Sequence, residues 1–260
     1  MILIVWITMS MASYGQRRDT LFTEYRIDEF LFHEKPAKVV FPNREPNGEW
    51  IWRARFWGHE PQTDKALLDK GFHLVYIDVA DLFGNQEAVQ LWNDFYTYCR
   101  DKYTLKKKVV LEGMSRGGLI VYNWAAQNTD KVACIYADAP VCDIKSWPGG
   151  LYTSKGSMEA WKTCLDAYGL DDKSVLTFKG IPLCTSTKVA EANIPVLHVY
   201  GDSDQVVPYE ENTGKLKDLF EAAGGTIQII SKKGVGHHPH SLKDPKPIVD
   251  FILENSPHEK

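Results

Sequence analysis

The sequence predicts an α/β fold, a mainly parallel central sheet with helices on both faces, and three observations carry that expectation. Short runs rich in β-branched and aromatic residues alternate with helix-length amphipathic stretches, the rhythm that parallel strands and their crossover helices impose. The connections between these runs are short. A serine also stands in Gly113-Met114-Ser115-Arg116-Gly117, between the apolar Val109-Val110-Leu111-Glu112 and a helix-like run that begins at Gly118, so it falls on a tight strand-to-helix turn.

A chain of 260 residues, 44% of them hydrophobic, can bury one large core, and one domain is expected. The net charge is −4 and no basic stripe interleaves with aromatics, which argues against nucleic acid as a partner. Eight tryptophans are more than such a core requires, leaving some for a binding surface. The five cysteines, Cys99, Cys134, Cys142, Cys164 and Cys184, show no C-x-x-C spacing and suggest neither zinc nor a thioredoxin-type centre. A bridge within the last three is open.

Residues 2–11 are uncharged, and no charge appears before Arg17. Such a stretch is too short to span a bilayer but long enough for the core of a secretory signal. Ser13 and Gly15 supply small residues for a cut after Gly15, although no basic residue follows Met1; the competing reading is a buried first strand. The expectation is a signal peptide over residues 1–15, a single domain over 16–260 and a secreted or periplasmic protein, without stable membrane insertion.

Residues 25–32 and 38–41 read as antiparallel strands joined by a turn at Glu34-Lys35-Pro36. Residues 50–56 alternate large apolar with small or charged side chains, a third strand that ends at Trp57-Gly58-His59-Glu60-Pro61. A helix over 63–70, a strand over 73–77 and a long helix over 86–103 follow. Lys106-Lys107-Lys108 is a solvated turn. After the serine strand and its helix, residues 132–137 form another short strand. Residues 143–192 break the rhythm, carrying Trp147-Pro148-Gly149-Gly150 and a helix over 157–168, and are expected to cap the pocket. A strand over 195–200, a helix over 209–223, a strand over 226–230 and a closing helix over 247–254 complete the chain.

By chance a G-x-S-x-G occurs about once in ten chains of this size, so the pentapeptide needs its context. A serine hydroxyl becomes a useful nucleophile only when an imidazole takes its proton and a carboxylate orients that imidazole. Asp204 lies in Gly201-Asp202-Ser203-Asp204-Gln205-Val206-Val207-Pro208, and His237 follows Gly236; each loop succeeds a predicted strand. The order serine, aspartate, histidine separates this chain from chymotrypsin- and subtilisin-type arrangements. On these three motifs the sequence resembles the α/β-hydrolase superfamily over nearly its whole length after residue 15, and more softly its dienelactone-hydrolase and prolyl-oligopeptidase-like branch.

The resemblance implies Ser115 as nucleophile, Asp204 as acid and His237 as base, with Asp202 and Asp138 as competing acids and His238 and His240 as competing bases. It also implies two oxyanion donors, the amide of Arg116 and one from the loop after the third strand, at Trp57 or a neighbour. This chain has Gly58-His59 where many lipases have H-G-G-G. Side chains of Trp57, His59 and Arg116 are expected to line the pocket. No cofactor is expected. The histidine cluster lacks a nearby acidic or cysteine partner in sequence, so no metal is expected either.

The implied reaction is hydrolysis of a carboxylic ester through an acyl-enzyme, on a small-molecule or oligosaccharide ester, with a carbohydrate-linked acetyl or feruloyl group favoured by the tryptophans near the mouth. The alternatives are a serine peptidase of prolyl-oligopeptidase type and a catalytically silent carbohydrate-binding protein.

Overall fold

The computed structural model describes residues 20–256; the expected signal over residues 1–15 lies outside them. Eight strands form one sheet in the order β1-β2-β4-β3-β5-β6-β7-β8. In chain order they are β1 (Ile27–Phe32), β2 (Lys35–Val40), β3 (Trp50–Arg53), β4 (His73–Ile77), β5 (Val109–Met114), β6 (Val132–Asp138), β7 (Val196–Gly201) and β8 (Ile227–Lys232). β2 runs against both of its neighbours, and β4, β3, β5, β6, β7 and β8 are parallel. This is the α/β-hydrolase fold.

The helices are α1 (Gln62–Leu68), α2 (Gln86–Tyr103), α3 (Gly117–Ala125), α4 (Met158–Tyr168), α5 (Pro182–Glu191), α6 (Thr213–Ala222) and α7 (Lys246–Asn255). Strand pleating sends alternate side chains to opposite layers. Trp50 and Trp52 of β3 and Val109 and Leu111 of β5 pack with α2, α3, α5 and α6, whereas Ile51 and Val110 pack with α1 and α7. On the first side Trp52 stacks on Trp92 with ring centres 3.9 Å apart, and Trp124 meets both edge-on. Four of the eight tryptophans therefore serve this layer.

Local chemistry sets the ends of these elements. Asn85 caps α2 by accepting from the Ala88 amide at 2.9 Å, and α2 stops at Thr104 in the left-handed region. The β1–β2 turn lies at His33-Glu34, both at positive φ, one residue before the expected position, as a two-residue hairpin that follows the strand twist demands. β3 ends at Arg53, three residues earlier than its alternation suggested, because Phe56 turns to a φ of 55° and the chain leaves the sheet.

The segment expected to be a cap over 143–192 divides in two. Residues up to Ile181 pack Ile144, Cys164, Val175 and Ile181 against Phe83, Leu119, Val141 and Val207, over the carboxyl ends of the strands. The final helix, α5, instead buries Val189 and Ala190 in the sheet's own helical layer. Its amphipathic stripe resembles that of any crossover helix, so sequence alone did not separate it from the cap. All five cysteines are free: Cys99, Cys134, Cys142 and Cys164 are buried and Cys184 is exposed, so the bridge left open within the last three does not form. No described helix is long and apolar enough to cross a membrane.

Trp92→Ala removes the fully buried indole at the centre of the stack and is expected to cost about 3–5 kcal/mol, read as a lowered urea midpoint with the denaturant slope unchanged.

Candidate active site

Ser115 sits between β5 and α3 with a φ of 50°, in the left-handed region. Its amide donates to the Asp138 carbonyl at 2.9 Å, and its carbonyl accepts from the Gly118 and Val141 amides at 3.0 and 2.9 Å. Those bonds hold a conformation that an L-residue resists by about 1–2 kcal/mol. The glycines on either side keep the turn tight. A Cβ on Gly113 would lie 3.2 Å from the Gly117 carbonyl carbon, and one on Gly117 would lie 3.3 Å from the Arg55 Cβ.

The three residues expected to carry the chemistry meet. His237 Nε2 lies 3.0 Å from Ser115 Oγ, and His237 Nδ1 lies 2.7 Å from Asp204 Oδ2. A carboxylate only accepts, so Nδ1 carries the proton and Nε2 presents its lone pair to the serine hydroxyl. The other Asp204 oxygen accepts the Val206 and Val207 amides at 2.8 and 2.9 Å. Burial by itself would raise the Asp204 pKa, but the bonds from His237, Val207 and Val206 together outweigh it and hold the carboxyl below its ordinary 3.8. Asp202, the competing acid on the same loop, instead ties the Gly234 amide at 2.7 Å and so fixes the two loops to each other.

Asp138 and His240, the other competitors, form a second pair. His240 Nδ1 lies 2.8 Å from Asp138 Oδ1, and Asp138 Oδ2 accepts the Ser241 amide at 2.7 Å. Lys232 Nζ stands 3.6 Å from the same carboxylate and donates to the Pro239 carbonyl at 2.6 Å, pinning the histidine loop. His59 joins this cluster, its ring 5.5 Å from His238 and 5.8 Å from His240. Burial first, then the neighbouring imidazoles, draws the pKa of both His59 and His238 below the ordinary value.

Trp57 does not line the site, contrary to expectation. Its ring packs on Phe22 and Tyr76, 5.1 and 5.3 Å away, because β3 ends early and the residue falls beyond the turn. The Arg55 amide lies beside the serine turn, 3.7 Å from where a Cβ on Gly117 would stand. Neither the Arg55 nor the Arg116 amide has an acceptor among the described residues, which leaves both available as oxyanion donors. The Arg116 side chain is 17% exposed and lies over Phe83 with Trp147 beyond, 5.0 and 6.0 Å from the ring centres. Burial and the Arg55 cation lower its pKa from the ordinary value.

Sequence reasoning missed what shapes this loop. Arg53 is 1% exposed, pairs with Asp64, and lies 3.3 Å from Glu112. Its Nε donates to the Arg55 and Phe56 carbonyls at 3.3 and 3.1 Å, and Nη2 donates to the His59 carbonyl. One guanidinium thus folds residues 55–59 around itself. The available signal was Arg53 directly after the wholly apolar Trp50-Ile51-Trp52. Burial drives the Glu112 pKa well up, against the pull of Arg53. A cleft of about 700 Å³ lined by Asn85, Val89, Asn123, Tyr168, Phe178 and Thr185 includes none of the triad residues.

A serine with an ordered imidazole, a carboxylate behind it and two free amides on this fold defines the class, a serine hydrolase. Residues 84–256 match the model of the prolyl oligopeptidase family, and the chain belongs to that family. Among solved structures it is similar to the acylaminoacyl peptidase of Pyrococcus horikoshii, with a TM-score of 0.67 and 15% identity, over 91% of this chain and 42% of that one. It is also similar to a puromycin hydrolase, with a TM-score of 0.65 and 17% identity, over 88% of this chain and 37% of that one. A puromycin-hydrolyzing peptidase of Mycobacterium tuberculosis gives a TM-score of 0.65 and 12% identity, over 88% of this chain and 37% of that one. At these identities the likeness is one of fold, and the chain spans well under half the length of each structure. No curated protein matches the sequence.

Arg53→Met leaves the buried Asp64 and Glu112 carboxylates without their cation, and a loss of about 3–5 kcal/mol in urea unfolding is expected. The folded Asp204 pKa lies below 3.8, so its stabilising contribution is full above that value and is lost as pH falls through the folded one. The stability gap between wild type and Asp204→Asn is therefore expected to narrow on acidification, measured by urea unfolding across that range.

Proposed function

We propose that this chain is a serine peptidase that cleaves the amide bond of short or N-blocked peptides through an acyl-enzyme. The observation that carries the reading is the His237 ring, with Nε2 3.0 Å from Ser115 Oγ and Nδ1 2.7 Å from Asp204. Membership of the prolyl oligopeptidase family supports the choice of an amide, as do the peptidases among the similar structures. Ser115 attacks the carbonyl while His237 takes its proton; Asp204 holds the imidazole and stabilises its charged form. The Arg116 and Arg55 amides bind the tetrahedral oxyanion. His237 then gives its proton to the leaving amine, and water repeats the cycle on the acyl-enzyme.

A second reading, an ester on a carbohydrate, has one observation in its favour. Trp147 is partly exposed beside Arg116, with its ring 6.3 Å from that of Phe83, and sugar faces stack on indole. A silent binding protein has no chemical need of the complete triad. Export of the protein is part of this proposal and rests on residues 1–15.

Intact mass after a fluorophosphonate should show one adduct on wild type and none on Ser115→Ala. Turnover in Ser115→Ala or His237→Ala is expected to fall by about 10³-fold or more. A panel of peptide anilides, p-nitrophenyl acetate and acetylated or feruloylated oligosaccharides then assigns the substrate. Cleavage of sugar esters with every peptide amide untouched would replace the peptidase reading with the second one. A folded wild type that takes no adduct sinks the hydrolase mechanism.

A further inference from the structure

Two imidazoles crowd the base of the triad, His237. The rings of His237, His238 and His240 form a nearly equilateral triangle with centres 4.8, 4.9 and 5.0 Å apart. A ring nitrogen from each lies within 4.8 Å of the others. Two of the three are already held as a metal holds its histidines, with Nδ1 on a buried carboxylate, Asp204 for His237 and Asp138 for His240. Each carboxylate fixes the proton on Nδ1 and leaves the Nε2 lone pair outward. His240 is only 2% exposed, yet its Nε2 has no hydrogen-bond partner among the described residues. A buried polar atom without a partner is costly and points to a missing ligand.

We propose that His237, His238 and His240 form a site for a divalent cation of the zinc type, and that its occupancy switches Ser115 off. Three neutral imidazole nitrogens with water in the fourth position is a zinc ligand set. Tetrahedral zinc needs its nitrogens about 3.4 Å apart. Closing the three nitrogens from within 4.8 Å to that spacing needs movement of the exposed His238 at the rim and a smaller shift of the His237 and His240 rings on their carboxylates. Zinc on His237 Nε2 takes the lone pair that otherwise receives the Ser115 proton. The cation therefore competes directly with general-base catalysis. The acidic partner that sequence spacing hid is Asp138, brought to His240 by β6 from 102 residues away.

The switch rests on Ser115 and His237 acting as nucleophile and base; the binding of zinc does not. The test uses tag-free protein stripped with a chelator. ZnCl2 binding is followed by calorimetry, and the rate of fluorophosphonate labelling is measured beside it. Wild type is expected to bind one zinc per chain and to label more slowly as zinc is added. Chelation should restore labelling, and MgCl2 and CaCl2, which prefer oxygen ligands, should have no effect. His238→Ala should label at the wild-type rate without metal and bind zinc about tenfold more weakly or worse. No heat on wild type, or equal zinc affinity and inhibition in His238→Ala, overturns the proposal. Zinc binding that depends on His238, in a chain whose serine never labels, overturns the switch and separately the hydrolase reading.

Discussion

The site depends first on how closely α3 approaches β5. A Cβ at Gly113 would press on the Gly117 carbonyl and on Val121, 3.0 Å away, so helix and strand would have to move apart by a few tenths of an ångström to admit it. The turn forces Ser115 into the left-handed region and three main-chain hydrogen bonds retain it there. That single strained residue, buried at 5% exposure, holds Oγ 3.0 Å from the His237 Nε2 that the loop after β8 delivers. The strain is local, and the cost is carried by the whole sheet.

The loop facing this turn is organised by the opposite kind of constraint, a charge that has no access to water. Arg53 would be intolerable in β3 by itself. It is retained because two carboxylates and three backbone carbonyls surround it, and those carbonyls belong to the segment that brings the Arg55 amide beside Gly117. Such a buried network adds little net stability compared with an apolar substitute of the same size, yet it tolerates few alternative conformations of the loop. Position, more than stability, is what the arginine contributes. Asp138 illustrates the same economy on the other side of the turn: its backbone carbonyl receives the Ser115 amide while its carboxylate holds His240.

Most of the parallel sheet was legible because its strands announce themselves by apolar runs bounded by turns; β4 and α2 fall on the residues that periodicity predicts. The three candidate residues were legible because each lies in a turn or loop that follows a strand, and Asp202, directly after the last glycine of β7, takes the structural place expected of it by tying the Gly234 amide. What stayed hidden was three-dimensional. The end of β3 is set by a guanidinium turning back on its own chain, which no alternation pattern records, and this displaced Trp57 from the pocket to a packed position against Phe22. The partnership of Asp138 with His240 joins residues far apart in sequence through strand order alone.

The cysteines have a consequence for how motions of this molecule can be observed. Cys99 lies in the layer of α2 and α3, Cys134 in the opposite layer with α7, and Cys164 on the buried side of the cap helix α4. Burial raises all three thiols, Cys164 to about 12, so none ionises readily while its surroundings stay closed. Cys184 alone is exposed. The chain thus carries one reactive handle and a set of silent ones distributed over its three packed regions. The order in which the silent thiols become alkylated under native conditions reports which region breathes first, on a clock set by local opening.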